Sequence, residues 1–295
     1  MDGKLWFGSE THAQWVPCPV TGMARTQEGF SEEIAFDNGG IWIDRSAAGR
    51  ASFEMEFPVL DWSEYEGLES FARFASGEWG TGWVRFVDPM VTDQNLFTPN
   101  WAAPGLAEVG WKPVYDTTPT YSATGANSYQ KPPRKAVYNV TSAANAVPTG
   151  QNSVFTLLIP PTHTLSIGGS GSVTGTAVLR VQPVNLNGTL ATPVDITLTA
   201  DSAAPAFSST FSGATYKAVR VYITRTTTAT STITLTSLWA QMVKTGFTPA
   251  ITRHIPGKGH TGLSFRGDAN PVTYVMADRH LVGASIVLVE TEAWA

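Results

Sequence analysis

SVTGTAVLRVQPV (172–184), PVDITLTA (193–200), AVRVYITRT (218–226) and STITLTSLW (231–239) decide the fold class. Each run is rich in β-branched residues, which are stiff at χ1 and pack well on a pleated surface. Across 141–244 the only charged residues are Arg180, Asp195, Asp201, Lys217, Arg220, Arg225 and Lys244. Helical periodicity is absent. The pattern predicts strands at 135–140, 154–159, 165–167, 174–183, 194–199, 218–224 and 232–242. The glycine-rich run Gly168-Gly169-Ser170-Gly171-Ser172 and the tetrapeptide Asn185-Leu186-Asn187-Gly188 are expected to punctuate them. Short strands at this spacing indicate an antiparallel β-sandwich or jelly roll.

The flanks differ from this core. Eight of the ten tryptophans lie within 6–111, together with most of the carboxylates. Asn38-Gly39-Gly40 predicts a hairpin turn, because Asn-Gly supplies the positive φ of tight turns. Phe53, Met55 and Phe57 alternate with Glu54 and Glu56, the period of a half-buried strand, and Pro58 is expected to end it. Residues 61–77 predict one helix, capped by Ser63 with Glu66 or by Asp61 with Glu64, and burying Tyr65, Leu68 and Phe71. Strand patterns return at 83–87 and three times in the glycine-rich tail 246–295. The tail matches the first segment in composition. The expected architecture is therefore mainly β: residues 1–93 and 246–295 form one discontinuous domain with a single helix, and residues 94–245 form an inserted sandwich.

Composition narrows the function. A net charge of −5 gives no electrostatic footprint for nucleic acid, and the best basic cluster, KPPRK at 131–135, contains two prolines. Cys18 is the only cysteine, which excludes an internal disulfide and a thiolate metal cluster. The N-terminus lacks the basic and apolar regions of a signal peptide, and no run approaches the roughly 18 apolar residues of a spanning helix. With no secretion signal expected, the sequons at Asn139 and Asn187 carry little weight.

Sites of chemistry are few. Gly257-Lys258-Gly259-His260-Thr261-Gly262 has the G-x-G-x-x-G spacing, but Pro256 precedes it and a β-like segment follows. A dinucleotide loop needs a strand before and a helix after, so a β connection is expected. His254 and His260 have no cysteine to complete a metal set, and Asp268 and Asp278 add little. Glu54 with Glu56, and Glu64 with Glu66 and Glu69, are expected on solvated faces rather than as catalytic pairs. No nucleophile elbow occurs, and Arg266-Gly267-Asp268 is too short to mean more than chance. The expectation is no enzyme, no metal and no cofactor. Trp101, Trp111, Tyr115, Tyr121 and Tyr129, mixed with Asn100, Asn127 and Gln130, could line a carbohydrate groove through ring stacking on sugar faces. The alternative is that these aromatics plug the ends of the sandwich.

NGGIWIDRSAAGRASFEMEFPV (38–59) resembles a segment of minor tail proteins from long-tailed, siphovirus-like phages of actinobacteria. The tail PGKGHTGLSFRG, with its closing Glu290-Thr-Glu-Ala-Trp294, is similar to their C-terminal pattern. NLFTPNWAAPGLAEVGW (95–111) and the run 216–243 resemble the opening and closing strands of a carbohydrate-binding-module-like jelly roll. What this resemblance implies is a distal tail protein assembled in the host cytoplasm and carried at the virion's tail tip. It implies self-association into a ring, typically a hexamer, that joins the tail tube to other tail-tip and baseplate proteins. The jelly roll would project outward, with host surface glycans as a further partner. Neither nucleic acid nor membrane insertion is expected.

Overall fold

The computed structural model describes residues 4–10, 12–17, 19, 24–28, 31–35, 41–45, 50–75, 84–87, 94–104, 120–122, 135–148, 154–200, 206–249, 255, 257–260, 262–265, 273–276 and 281–290. The first elements are β1 (Lys4–Gly8), β2 (Ala13–Pro17), β3 (Ala24–Glu28), β4 (Ser31–Ala35), β5 (Ile41–Arg45), β6 (Arg50–Asp61), α1 (Trp62–Ala75), β7 (Arg85–Val87) and α2 (Pro99–Ala102). Next come β8 (Thr120–Ser122), β9 (Lys135–Val140), β10 (Phe155–Leu158), β11 (His163–Thr174), β12 (Ala177–Asn185) and β13 (Val194–Ile196). The chain continues through β14 (Ser209–Ser212), β15 (Tyr216–Arg225), β16 (Ser231–Lys244), β17 (Leu263–Phe265), β18 (Thr273–Met276) and β19 (Leu281–Glu290). The protein is mainly β, as its composition predicts. It divides into two compact units, Met1–Lys4 with Gln14–Arg85 and Gly262–Ala295, and Leu5–Ala13 with Phe86–Thr261.

In the first unit an antiparallel sheet runs β17-β19-β6-β3, and β18 also pairs with β19. Phe53, Met55 and Phe57 of β6 are buried while Glu54 and Glu56 are exposed, the alternation expected of a sheet wet on one side. α1 packs on β6, β17 and β19 and buries Tyr65, Leu68, Phe71 and Ala72. Asp61 begins the helix: its backbone N–H donates to Glu64 Oε2 at 3.1 Å, which selects the second of the two predicted caps. Pro58 does not end β6. Leu60 faces Val282 and Phe57 faces Ala284, so Pro58 and Val59 together oppose Gly283 in a β-bulge. A bulge tolerates proline because no ladder hydrogen bond is lost there.

The second unit is a jelly roll. One sheet runs β14-β11-β16-β9-β8 and the other β10-β15-β12-β13. From β9 to β16 the chain passes between the two sheets, staying in one only from β12 to β13. The last strand lies between the first and third, and the one before it between the second and fourth. This is the connectivity of an eight-stranded jelly roll of two Greek keys, with β8 added at one edge. Between the sheets lie Tyr138, Leu165, Ile167, Phe211, Ile233, Leu235, Leu238 and Met242 from the first. The second supplies Phe155, Leu179, Val181, Val219, Val221 and Ile223, all buried.

The glycine-rich run is not a turn. Gly168, Gly169 and Gly171 lie inside β11, and the chain reverses at Gly175 instead, where φ is +82°. The reason is space. A Cβ on Gly168 would overlap the Trp239 indole and the Ala206 carbonyl, and one on Gly169 would reach Leu238. Gly171, at φ +154°, sits where the β11–β16 register shifts. β14 escaped the periodicity reading because Phe211 is its only apolar residue.

Gly168→Val should therefore destabilise the protein by about 1–3 kcal/mol, the usual cost of overpacking a core. Urea denaturation followed by tryptophan fluorescence measures it.

Candidate functional site

The second sheet of the jelly roll buries polar side chains on the face turned away from its partner sheet. Alternation along β12 and β15 puts Leu179, Val181, Val219, Val221 and Ile223 between the sheets, so Arg180, Gln182, Arg220, Tyr222 and Thr224 point the other way. Register aligns Asp195, Arg180 and Tyr222 in one row, and Gln182, Arg220 and Thr156 in the next. Arg180 grips Asp195 bidentately, Nε to Oδ1 at 2.6 Å and Nη2 to Oδ2 at 3.0 Å, and its Nη1 donates to Asn145 Oδ1 at 2.7 Å. Arg220 grips Glu10 in the same fork, with Nε 2.8 Å from Oε2 and Nη2 on Oε1. Gln182 donates to the Ala191 carbonyl.

Three loops thereby cover this face. One is the β1–β2 hairpin tip carrying Glu10. Gly8, at φ +148°, permits this tip, since a Cβ there would overlap His12 and Ala13 backbone. The second is 141–148, held by Asn145 and by Arg225, whose guanidinium donates to the carbonyls of Thr141, Ser142, Thr228 and Ala229. The third follows β12. Each guanidinium is held in its charged form by its carboxylate, which outweighs burial and raises its pKa. Burial pushes the Tyr222 phenol up, while Arg180 and Arg220 pull it down less strongly.

A second buried centre is Asn95. Its Nδ2 donates to Leu238 O at 2.9 Å, and its Oδ1 accepts from Phe97 N and Ala240 N. Leu96 N donates to Ala240 O, and Lys258 N to Asn95 O. Segments 95–97 and 257–259 thus pair with each other, and the first also pairs with β16. Gly257 and Gly259 are needed because a Cβ on either would overlap the backbone of residues 96–98. This close approach accounts for the first two glycines of the G-x-G-x-x-G spacing. His260 rests on the Phe86 ring, centroids 4.4 Å apart, and its Nε2 lies 3.0 Å from Phe86 O.

Among the predicted sugar-binding aromatics, Trp101 is 2% exposed, stacks on Phe97 and meets Phe155 at a tilt. Thr98 begins the short α2 that aims it inward, its carbonyl accepting from Ala102 N at 2.8 Å. Trp101 therefore plugs the sandwich and offers no ring face to a sugar. Tyr121 lies in β8 opposite Ala136. Its side chain, and Trp111, Tyr115 and Tyr129, lie outside the described residues, as do Cys18, His254, Asp268 and Asp278. Glu66 accepts from Trp62 Nε1 and Glu69 from Arg73, so these helix carboxylates serve local pairing. No group of three or more His, Cys, Asp or Glu suited to a metal occurs among the described residues. Among the described residues no helix is long and apolar enough to cross a membrane.

No protein-family model matches the chain, and no curated protein sequence matches it. Among solved structures it is similar to that of the infectious bursal disease virus Gx strain. That match has 13% identity, 98% coverage of this chain and 80% of that one, and a TM-score of 0.23. It is also similar to the VP2 subviral particle of the same virus, at 12% identity, 97% and 75% coverage, and a TM-score of 0.24. Likeness at this level does not establish a common fold.

The arginine layer missed the sequence reading because its partners are distant in the chain. Its only signal was three arginines within an almost uncharged β core. Removing a partner should expose its worth. Asp195→Ala removes both carboxylate bonds to Arg180, leaving its Nη1 on Asn145, and should cost about 2 kcal/mol, below the 3–5 kcal/mol typical of fully buried pairs because Asp195 is 40% exposed. A double-mutant cycle with Arg180→Met isolates the pair.

Tyr222 adds a pH dependence. Below its ordinary pKa near 10 the phenol is neutral in both states and nothing is lost. As pH rises further the unfolded chain ionises first, so stability falls until the higher folded pKa is passed. Tyr222→Phe should flatten this alkaline decline in the thermal midpoint.

Proposed function

We propose that this chain is a structural virion protein of the distal phage tail, forming a ring that joins the tail tube to the host-recognition apparatus. The observation that carries this reading is the division of the chain. Both ends contribute to one β unit with its own helix-packed sheet, and the middle holds a closed jelly roll. An assembly unit built from both ends suits a ring protein, with the jelly roll as an appended module. The tail-protein resemblance at 38–59 and from Gly262 onward falls within the first unit, while its stretch at 256–261 and the module resemblance fall within the second. Jelly rolls serve in viral capsids and in lectins, so the fold alone leaves the chemistry open.

In this reading the ring is a homo-oligomer, its neighbours are tail-tube and baseplate proteins, and its place is the tail tip. A carbohydrate-binding adhesin is the other use of such a module. Burial of Trp101 removes one of the five aromatics that suggested it.

Light scattering of the purified protein, with negative-stain images of the same sample, tests the proposal. A closed ring of several copies is expected. A monomer at every concentration, together with binding on a glycan array, would replace the ring reading with the adhesin.

A further inference from the structure

We propose that Asn187 is a site of spontaneous covalent modification, converting through a cyclic imide to aspartate and isoaspartate. The residue lies at the exposed tip that follows β12, in the sequence Asn185-Leu186-Asn187-Gly188-Thr189. A glycine after asparagine leaves the backbone nitrogen unshielded by a side chain, the first requirement for attack on the asparagine amide.

The turn supplies the rest. Asn187 Oδ1 accepts from Thr189 N at 3.0 Å and from Thr189 Oγ1 at 2.7 Å. The direction of the second bond is fixed. Asn185 Nδ2, which can only donate, lies 2.9 Å from Thr189 Oγ1, so the hydroxyl proton turns toward Asn187. Two donors thus converge on the oxygen where negative charge develops when Cγ becomes tetrahedral, the arrangement that stabilises such intermediates in acyl transfer. A positive charge stands close: a methyl group built on Gly188 would lie 3.4 Å from Lys217 Nζ. That ammonium favours loss of the Gly188 amide proton. Gly188 N–H donates to Asn185 O at 2.9 Å, a single bond that must open first.

The step balances without redox chemistry. Gly188 N loses its proton to solvent base and bonds to Asn187 Cγ. The Cγ–Nδ2 bond breaks, and the amide nitrogen leaves as ammonia after protonation by solvent. Water then adds to one of the two imide carbonyls. Opening at one restores the normal backbone as aspartate, and opening at the other routes the backbone through the side chain as isoaspartate. Either product places a carboxylate on a tip that was neutral.

The test is peptide mapping by mass spectrometry of the intact chain held in mildly alkaline buffer, with isoaspartate read by enzymatic methylation. Asn187 should convert ahead of Asn139, Asn145 and Asn185, with the peptide holding Asn38-Gly39 mapped separately. Thr189→Val keeps the shape and the backbone donor but lacks the hydroxyl, and should convert about fivefold more slowly, the factor one neutral hydrogen bond supplies. Thr189→Ser should restore the rate. Thr189 is exposed, so an unchanged thermal midpoint is expected for both variants. Asn187 left intact, or a Thr189→Val rate equal to the parent's, overturns the proposal.

Discussion

The jelly roll depends on the pairing of β16, its last strand in sequence and the middle of its sheet. β11 runs along one edge from Thr232 to Lys244, β9 takes the other from Ser231 to Leu235, and Asn95 and Leu96 continue that edge beside Leu238 and Ala240. Until β16 is in place, β9 and β11 have no common neighbour and the sheet cannot close. Such non-local pairing carries a large loop-closure cost that only the completed core offsets. The buried amide of Asn95 and the close approach of Gly257 and Gly259 act on the same point, because they fasten the segments leading into and out of the strand network.

The opposite sheet solves a related problem with charge. Its outward face is covered by loops: the Arg220 fork on Glu10 holds the β1–β2 tip, and Arg180 Nη1 holds 141–148 through Asn145. A fork fixes direction as well as distance, which suits the Glu10 loop tip. The Arg180 pair joins neighbouring strands. The Arg220 pair spans 210 positions and anchors the β1–β2 tip. Arg225, facing four backbone carbonyls, replaces water for two loops at once.

How much of this could be read beforehand varies with the range of the interaction. The strands of the core were legible because period-two burial is local. β16 even records its own irregularity: Ile233 and Leu235 lie on one parity, and Leu238, Ala240 and Met242 on the other, a slip at Thr236 where the register with β11 shifts. The helix cap was legible to within one alternative. Gly168 to Gly171 misled because glycine usually marks turns, and only neighbours distant in sequence, Trp239, Ala206 and Leu238 among them, explain its use in a strand. Pro58 misled for the same reason, its bulge being a property of the β19 partner. Trp101 is polar at one edge and apolar elsewhere, so nothing local separates a plug from a binding face. Partner choice in Arg220–Glu10 lies wholly in the tertiary fold.

Native-state hydrogen exchange on the intact chain tests the dependence on β16 most directly. The account predicts that amides of Leu238 to Met242 and of Ile167 to Gly169 exchange together at the slowest rate, set by global unfolding, with Leu96 and Gly259 protected alongside them. Exchange in β16 as fast as in the exposed 226–230 turn would contradict it.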